Sequence, residues 1–277
     1  MTITTLDGLV SALGNNSSRI VIDKASIASQ AAGTYVSLWR ATGQPGQGAI
    51  PAAAAACNNA TVGGIGFSQQ VDPVTSYGAY LEAATGNSAM TLEIHDRLAH
   101  MGGLNGTLTT AQTVGIDFAS LSSDNLAARK GDANYSDIQW WLEWYTATGA
   151  TVATATVGVT YNDGTTGTLT VSLAATRPGS LAIPLNGLIP AAGAGKYIRA
   201  ITTVTLSATT GTAGSFGVTA TRLRMSIGSP IANFKSVADW AALGLPEIFN
   251  GSCLFPIVLT STTSSGTVRG GGKIAHG

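Results

Sequence analysis

The sequence predicts a mainly β protein, an antiparallel β-sandwich or jelly-roll-like fold with a few short helices. Three observations carry that prediction. Between Asp137 and Ile227 the chain is a string of Thr-, Val- and Gly-rich segments with apolar/polar alternation and almost no charge. Within it, Val157, Val159 and Tyr161 share one face of a first segment and Leu169, Val171 and Leu173 one face of a second. Thr and Ser lie opposite, and Asn162-Asp163-Gly164-Thr165-Thr166-Gly167 turns between them, as in a half-buried antiparallel hairpin. Several such strands in succession imply two packed layers, and no fixed-period repeat points to a propeller or solenoid.

From the N-terminus, Leu6, Leu9, Val10 and Leu13 form one helical stripe closed by Gly14 as a C-cap, which predicts a short helix. Arg19 to Asp23 and Thr34 to Arg40 read as strands, and Thr42 to Gly48 as a Gly/Pro turn. Ile50 to Cys57 reads as a helix, because alanine has the best propensity and Pro51 sits in the first turn. Tyr77 to Ala83 and Met90 to Asp96 read as a strand pair around Thr85-Gly86-Asn87-Ser88, followed by a loop at Met101 to Gly106 and a strand from Thr107 to Val114. Leu121 to Asp137, rich in charge and without period, reads as an exposed connection.

Ile138 to Thr146 carries large side chains on both faces, the pattern of a central strand between two layers. Lys196 to Thr209 and Ser215 to Ile227 are further strands. In the second the apolar set shifts from Phe216, Val218 and Ala220 to Leu223, Met225 and Ile227, which predicts a bulge or a crossing between sheets. Ser236 to Asp239 resembles a capping box opening a helix through Trp240 and Leu243, ended by Gly244 and Pro246, and Leu254 to Leu259 reads as a buried strand. These elements divide the chain into an N-terminal β-rich domain with short helices over 1–115 and an antiparallel sandwich over 116–228. The helix and strand of 229–277 are too small for a core of their own, so they pack back on the N-terminal domain or a neighbouring subunit.

Composition narrows the function classes. Charged residues are 10% of 277 and cancel to a net charge of zero, where roughly 25% charged is ordinary. Such a surface has no field to attract nucleic acid or an anionic membrane, and near-zero net charge favours association. The start Met-Thr-Ile-Thr-Thr-Leu-Asp lacks the basic and apolar regions of a secretion signal, which predicts maturation in a cytoplasm. Cys57 and Cys253 are too few and too far apart for a disulfide framework or a Cys-rich zinc site.

Few constellations offer chemistry. Ile94-His95-Asp96-Arg97 sets an imidazole beside a carboxylate with His100 close behind, yet neighbours on a strand face opposite ways, so a structural role is expected. His276 lies in a glycine-rich tail with nothing to support it as a further ligand. Val62 to Phe67 is glycine-rich without phosphate-loop spacing. Asp72, Glu82, Glu93, Asp96 and Asp117 supply carboxylates that spacing alone cannot pair as a glycosidase requires. Trp140, Trp141, Trp144 and Tyr145 could stack sugars, but their place in one central strand predicts core packing. No catalytic, cofactor-binding or metal-binding residue is therefore assigned, and the chain is expected not to be an enzyme.

Several stretches do resemble a group of tailed-bacteriophage virion proteins. These are Val36-Ser37-Leu38-Trp39-Arg40, Ile94-His95-Asp96-Arg97-Leu98, Leu104-Asn105-Gly106-Thr107 with Ala111-Gln112-Thr113-Val114, Trp141 to Thr146, and Phe255 to Gly266. All are packing and turn motifs. The resemblance implies a structural component of a particle assembled in a host cytoplasm, first a capsid decoration or cement protein. Its partners would be the major capsid protein or other virion subunits, and it would form a symmetric homo-oligomer such as a trimer. A connector, tail or baseplate protein, or a receptor- or carbohydrate-binding module of a fibre or spike, is the alternative.

Overall fold

The computed structural model of the chain describes residues 3–71, 74–87, 89–175 and 177–277. It is mainly β, with antiparallel sheets and short helices. In chain order the elements are α1 (Leu6–Asn15), β1 (Ser17–Lys24), β2 (Tyr35–Ser37), β3 (Gly43–Gln44), β4 (Ala55–Ala56), β5 (Ser76–Thr85), β6 (Met90–Leu104) and β7 (Gln112–Asp117). There follow α2 (Leu126–Arg129), β8 (Gln139–Thr146), β9 (Ala153–Tyr161), β10 (Thr166–Leu173), β11 (Leu181–Pro184), β12 (Ile198–Leu206) and β13 (Ser215–Ser229). The last are β14 (Ser236–Asp239), α3 (Trp240–Leu243), β15 (Leu254–Thr260) and β16 (Val268–His276). Among the described residues no helix is long and apolar enough to cross a membrane. The chain forms two compact units, one of Met1–Ala49, Asn58–Asp96 and Leu223–Gly277, the other of Ile50–Cys57 and Arg97–Arg222.

The first unit is built on a five-stranded antiparallel sheet in the order β14-β5-β16-β1-β3. Strand β1 alternates buried Ile20 and Ile22 with outward Arg19, Val21 and Asp23, so one face is apolar by sequence period alone. Against it lies β15, paired with β2 and with β6 as far as Asp96. Leu81, Leu92, Ile94, Val258 and Ile274 fill the space between with the two isoleucines of β1. Helix α1 starts where the Thr5 hydroxyl accepts from the Gly8 amide, and it buries Leu9 and Ala12 against Ala79 and Ala275.

The second unit is a two-layer sandwich. One layer is β10-β9-β12-β7 and the other places β8 between β13 and β11. The β9–β10 hairpin has the predicted faces, with Val157, Val159, Tyr161, Leu169, Val171 and Leu173 all buried. Opposite them β8 contributes Trp140, Leu142 and Trp144. Trp144 stacks on Phe216 with ring centroids 5.4 Å apart, and Trp140 meets Phe118 edge-on at 5.6 Å. The indole N–H of Trp140 donates to the Ile198 carbonyl at 2.9 Å, so the ring is buried without an orphaned donor. Gly217 of β13 lies so close to the Met101 carbonyl of β6 that any side chain would strike it.

Several local expectations are corrected. Residues 50–57 form no helix: β4 pairs with His100 and Ala99, the Cys57 amide donates to the Leu98 carbonyl and Pro51 accepts from Gly102. Those tertiary bonds override alanine's helix propensity. Strands β5 and β6 belong to different sheets instead of pairing with each other: β5 lies between β14 and β16, and β6 pairs with β15. Of the turn expected between them, Ser88 lies outside the described residues. The loop expected at 101–106 is strand as far as Leu104. In α1, Leu6 and Val10 are exposed, so the buried stripe is narrower than the apolar one. The charged segment 121–137 contains α2, whose Arg129 is fully buried. Ser236–Asp239 is a strand, and it is Asp239 that caps α3, accepting from the Ala241 and Ala242 amides. Leu223, expected in an apolar face, is exposed.

Trp144→Ala removes a stacked, buried indole and should lower stability by about 3–5 kcal/mol in urea denaturation. An unchanged midpoint would show that this layer is not the core.

Candidate functional site

The sequence's most suggestive motif divides into separate polar clusters, each buried. In the second unit, Arg97 of β6 faces Glu143 and Tyr145, which lie on the side of β8 opposite its core tryptophans. Its Nη2 donates to Glu143 Oε2 at 2.6 Å, to Tyr145 Oη at 2.9 Å and to Thr219 Oγ1 at 3.0 Å. Nη1 reaches Glu143 Oε1 at 3.3 Å and Nε donates to His100 Nδ1 at 3.0 Å, while the Thr219 hydroxyl donates back to Glu143. Arg129 braces the same strand, donating to the Arg97 carbonyl at 3.2 Å and the Cys57 carbonyl at 2.7 Å.

Burial opposes the charge on Arg97, but the adjacent Glu143 carboxylate outweighs it and the guanidinium pKa is raised. Burial, then Glu143, pushes the Tyr145 phenol up as well. Both groups therefore keep their protons at neutral pH. A bidentate buried pair of this kind specifies geometry more surely than it adds stability.

In the first unit His95 and Asp96 use different partners. His95 Nε2 lies 2.9 Å from Glu93 Oε2 and its ring packs near Phe255. Asp96 accepts from the Ser252 hydroxyl and the Cys253 amide, each at 2.9 Å. His276, expected in a tail, belongs to β16 and is buried: Nε2 lies 2.8 Å from Ser18 Oγ and Nδ1 2.8 Å from Ser76 Oγ. Burial lowers the pKa of both imidazoles, with Glu93 partly opposing it at His95.

The remaining candidates are similarly engaged. Glu82 accepts from Tyr80 and Lys235, and Asp117 from Arg199. Asp72 lies outside the described residues. Trp140, Trp141, Trp144 and Tyr145 are all buried and cannot form a sugar platform, whereas Trp240, which sequence reasoning treated only as a helix residue, is 37% exposed. The glycine-rich 62–67 segment makes a turn and an antiparallel bridge from Ile65 to Leu254. Cys57 and Cys253 are buried thiols. Among the described residues no group of three His, Cys, Asp or Glu side chains could hold a metal ion.

No family model and no curated protein matches the chain. Solved structures give distant likenesses to virus capsids. The structure of infectious bursal disease virus Gt strain aligns at 11% identity over 94% of this chain and 80% of that one, with a TM-score of 0.19. The T13 particle of the same virus aligns at 12% identity over 94% and 76%, with a TM-score of 0.19. Its VP2 subviral particle aligns at 11% over 94% and 79%, with a TM-score of 0.18. Scores this low fall below those of a shared fold.

Two outcomes follow from the buried groups. Arg97→Met strands the Glu143 carboxylate and should cost about 3–5 kcal/mol in denaturant melts, with much of it recovered by adding Glu143→Leu; equal losses in single and double variants would contradict the pairing. Because the folded pKa of His276 lies below its unfolded value of about 6.5, the unfolded state binds more protons as pH falls past that point. The melting temperature of the wild type should therefore drop more between pH 7.5 and pH 5 than that of His276→Gln, and parallel curves would exclude the effect.

Proposed function

We propose that the chain is a non-enzymatic structural subunit of a virus particle, and within that class a capsid decoration or cement protein of a tailed bacteriophage. The observation that carries the reading is where the ionisable groups go. Arg97, Glu143, His95, Asp96, Arg129 and His276 are buried and bonded within their own units. The chemistry is spent on holding the scaffold.

The surface supports the same reading. It carries exposed Val62, Val152, Ile231 and Phe234 among Thr, Ser and Gly. Large apolar side chains left in water on a neutral chain favour contacts with other protein subunits. The resemblance of the 36–40, 94–98, 141–146 and 255–266 stretches to phage virion proteins makes the major capsid protein the first partner to test. A homo-oligomer such as a trimer would bind a shell by repeating one contact.

Quantitative mass spectrometry of purified particles tests the assignment. On the order of hundreds of copies per particle supports a shell protein, whereas about six to a few dozen moves it to the neck or tail. Absence from the particles would overturn both.

A further inference from the structure

The outward face of the first unit's sheet contains a hollow. Cross-strand register puts Gly271 of β16 between Glu82 of β5 and Val21 of β1, with Lys273 of β16 between Tyr80 and Arg19 in the row beside it. Gly271 has no side chain to fill its row. The space above it is about 460 Å³ and is lined by Tyr80, Trp240, Arg19, Glu82 and Asp239 among others. That volume falls within the roughly 300–1,000 Å³ of small-molecule sites.

Its polar groups are only partly used. Glu82 accepts from both Tyr80 (2.7 Å) and Lys235 (2.9 Å) through Oε2, and Oε1 hangs over Gly271, 3.9 Å from where a Cβ would stand. Asp239 caps α3 through Oδ1 alone, at 3.1 and 3.0 Å. Among the described residues the Arg19 guanidinium makes no side-chain hydrogen bond, and its charge acts through space on Glu82, helping to hold that carboxyl below its ordinary range. The hollow thus offers two acceptor oxygens, the Arg19 guanidinium and the Lys273 ammonium, which also donates to the Leu13 carbonyl at 3.0 Å, beside two aromatic rings, one of them the partly exposed Trp240.

The mixed signs disfavour a strongly charged ligand, since any such ligand would meet a like charge. Hydroxyl groups both donate and accept, and so can satisfy a carboxylate oxygen and a guanidinium at once. The C–H faces of a sugar ring are the apolar counterpart to aromatic walls. We propose that this hollow binds a neutral saccharide of one or two pyranose rings, stacked on Trp240 and Tyr80 and hydrogen-bonded to Arg19, Glu82 and Asp239. This gives a structural subunit a ligand site, and it stands or falls independently of the particle assignment.

The test is a titration of the purified full chain with glucose, galactose, mannose, N-acetylglucosamine and their disaccharides, read by saturation-transfer NMR and by tryptophan emission. Trp39, Trp140, Trp141 and Trp144 are buried, so an emission change reports on Trp240. At least one sugar should bind saturably with Kd near 1 mM. Trp240→Ala and Glu82→Gln should each weaken it by about tenfold or more, while Val152→Ala in the other unit leaves it unchanged. Melting curves of the variants should match the wild type, since both side chains reach the surface. No saturable response up to about 50 mM of any sugar, or binding that survives both variants, overturns the proposal. Saturable binding of sulfate instead of sugars would also overturn it.

Discussion

The second unit is organised around one buried ion pair. Strand β8 has bulky side chains on both faces, and only one face can join the aromatic core with Phe118 and Phe216. Arg97 resolves the other face by taking Glu143, Tyr145 and Thr219 into a single hydrogen-bonded cluster. A one-residue slip of β8 would drive Glu143 into the apolar layer and set Trp144 against a guanidinium. The pair therefore fixes register as much as it holds charge.

Other buried charges are neutralised by backbone instead of by opposite charge. Lys24 donates to the carbonyls of Ala41 at 3.0 Å and Gly46 at 3.4 Å, and to that of Pro45. Burial draws its pKa down to about 8, while three carbonyl dipoles favour the ammonium form. Arg177 likewise gathers the carbonyls of Leu173, Ala174, Gly149 and Thr151. In a chain with so few charges, these cations act as pins for loops that lack regular structure. Loops fixed in this way have little conformational entropy left to lose in any contact they make.

Local period made some of this legible in the sequence. The β9–β10 hairpin and the two-faced strand β8 were readable because side-chain alternation and size are properties of adjacent residues. Pairing was not. Strands β5 and β6 are neighbours in sequence but take β16 and β15 as partners, a choice no local pattern encodes. Strand β16 itself was hidden, because Gly270-Gly271-Gly272 argues against a strand. The structure shows why glycine is tolerated: side chains at 270 and 272 would strike the Glu82 and Tyr80 carbonyls. Of the site, the Ile94–Arg97 motif was visible, but Glu143 is 46 residues from Arg97 and nothing in spacing joins them. The hollow at Gly271 was invisible for the same reason, being assembled from α1, β1, β5, β16 and the junction of β14 with α3.

The place of β16 governs when the first unit can form during synthesis. Its central strand is residues 268–276, and these bond to β1, at residues 17–24, and anchor His276 between Ser18 and Ser76. On the ribosome, β1 and β5 must wait with their inner edges unsatisfied until β16 emerges. The 97–222 segment, by contrast, has its main layers in hand long before. Ordered release of this kind leaves the nascent chain open to wrong strand partners until residues 268–276 emerge, and it makes loss of that segment far more damaging than its glycine-rich composition implies.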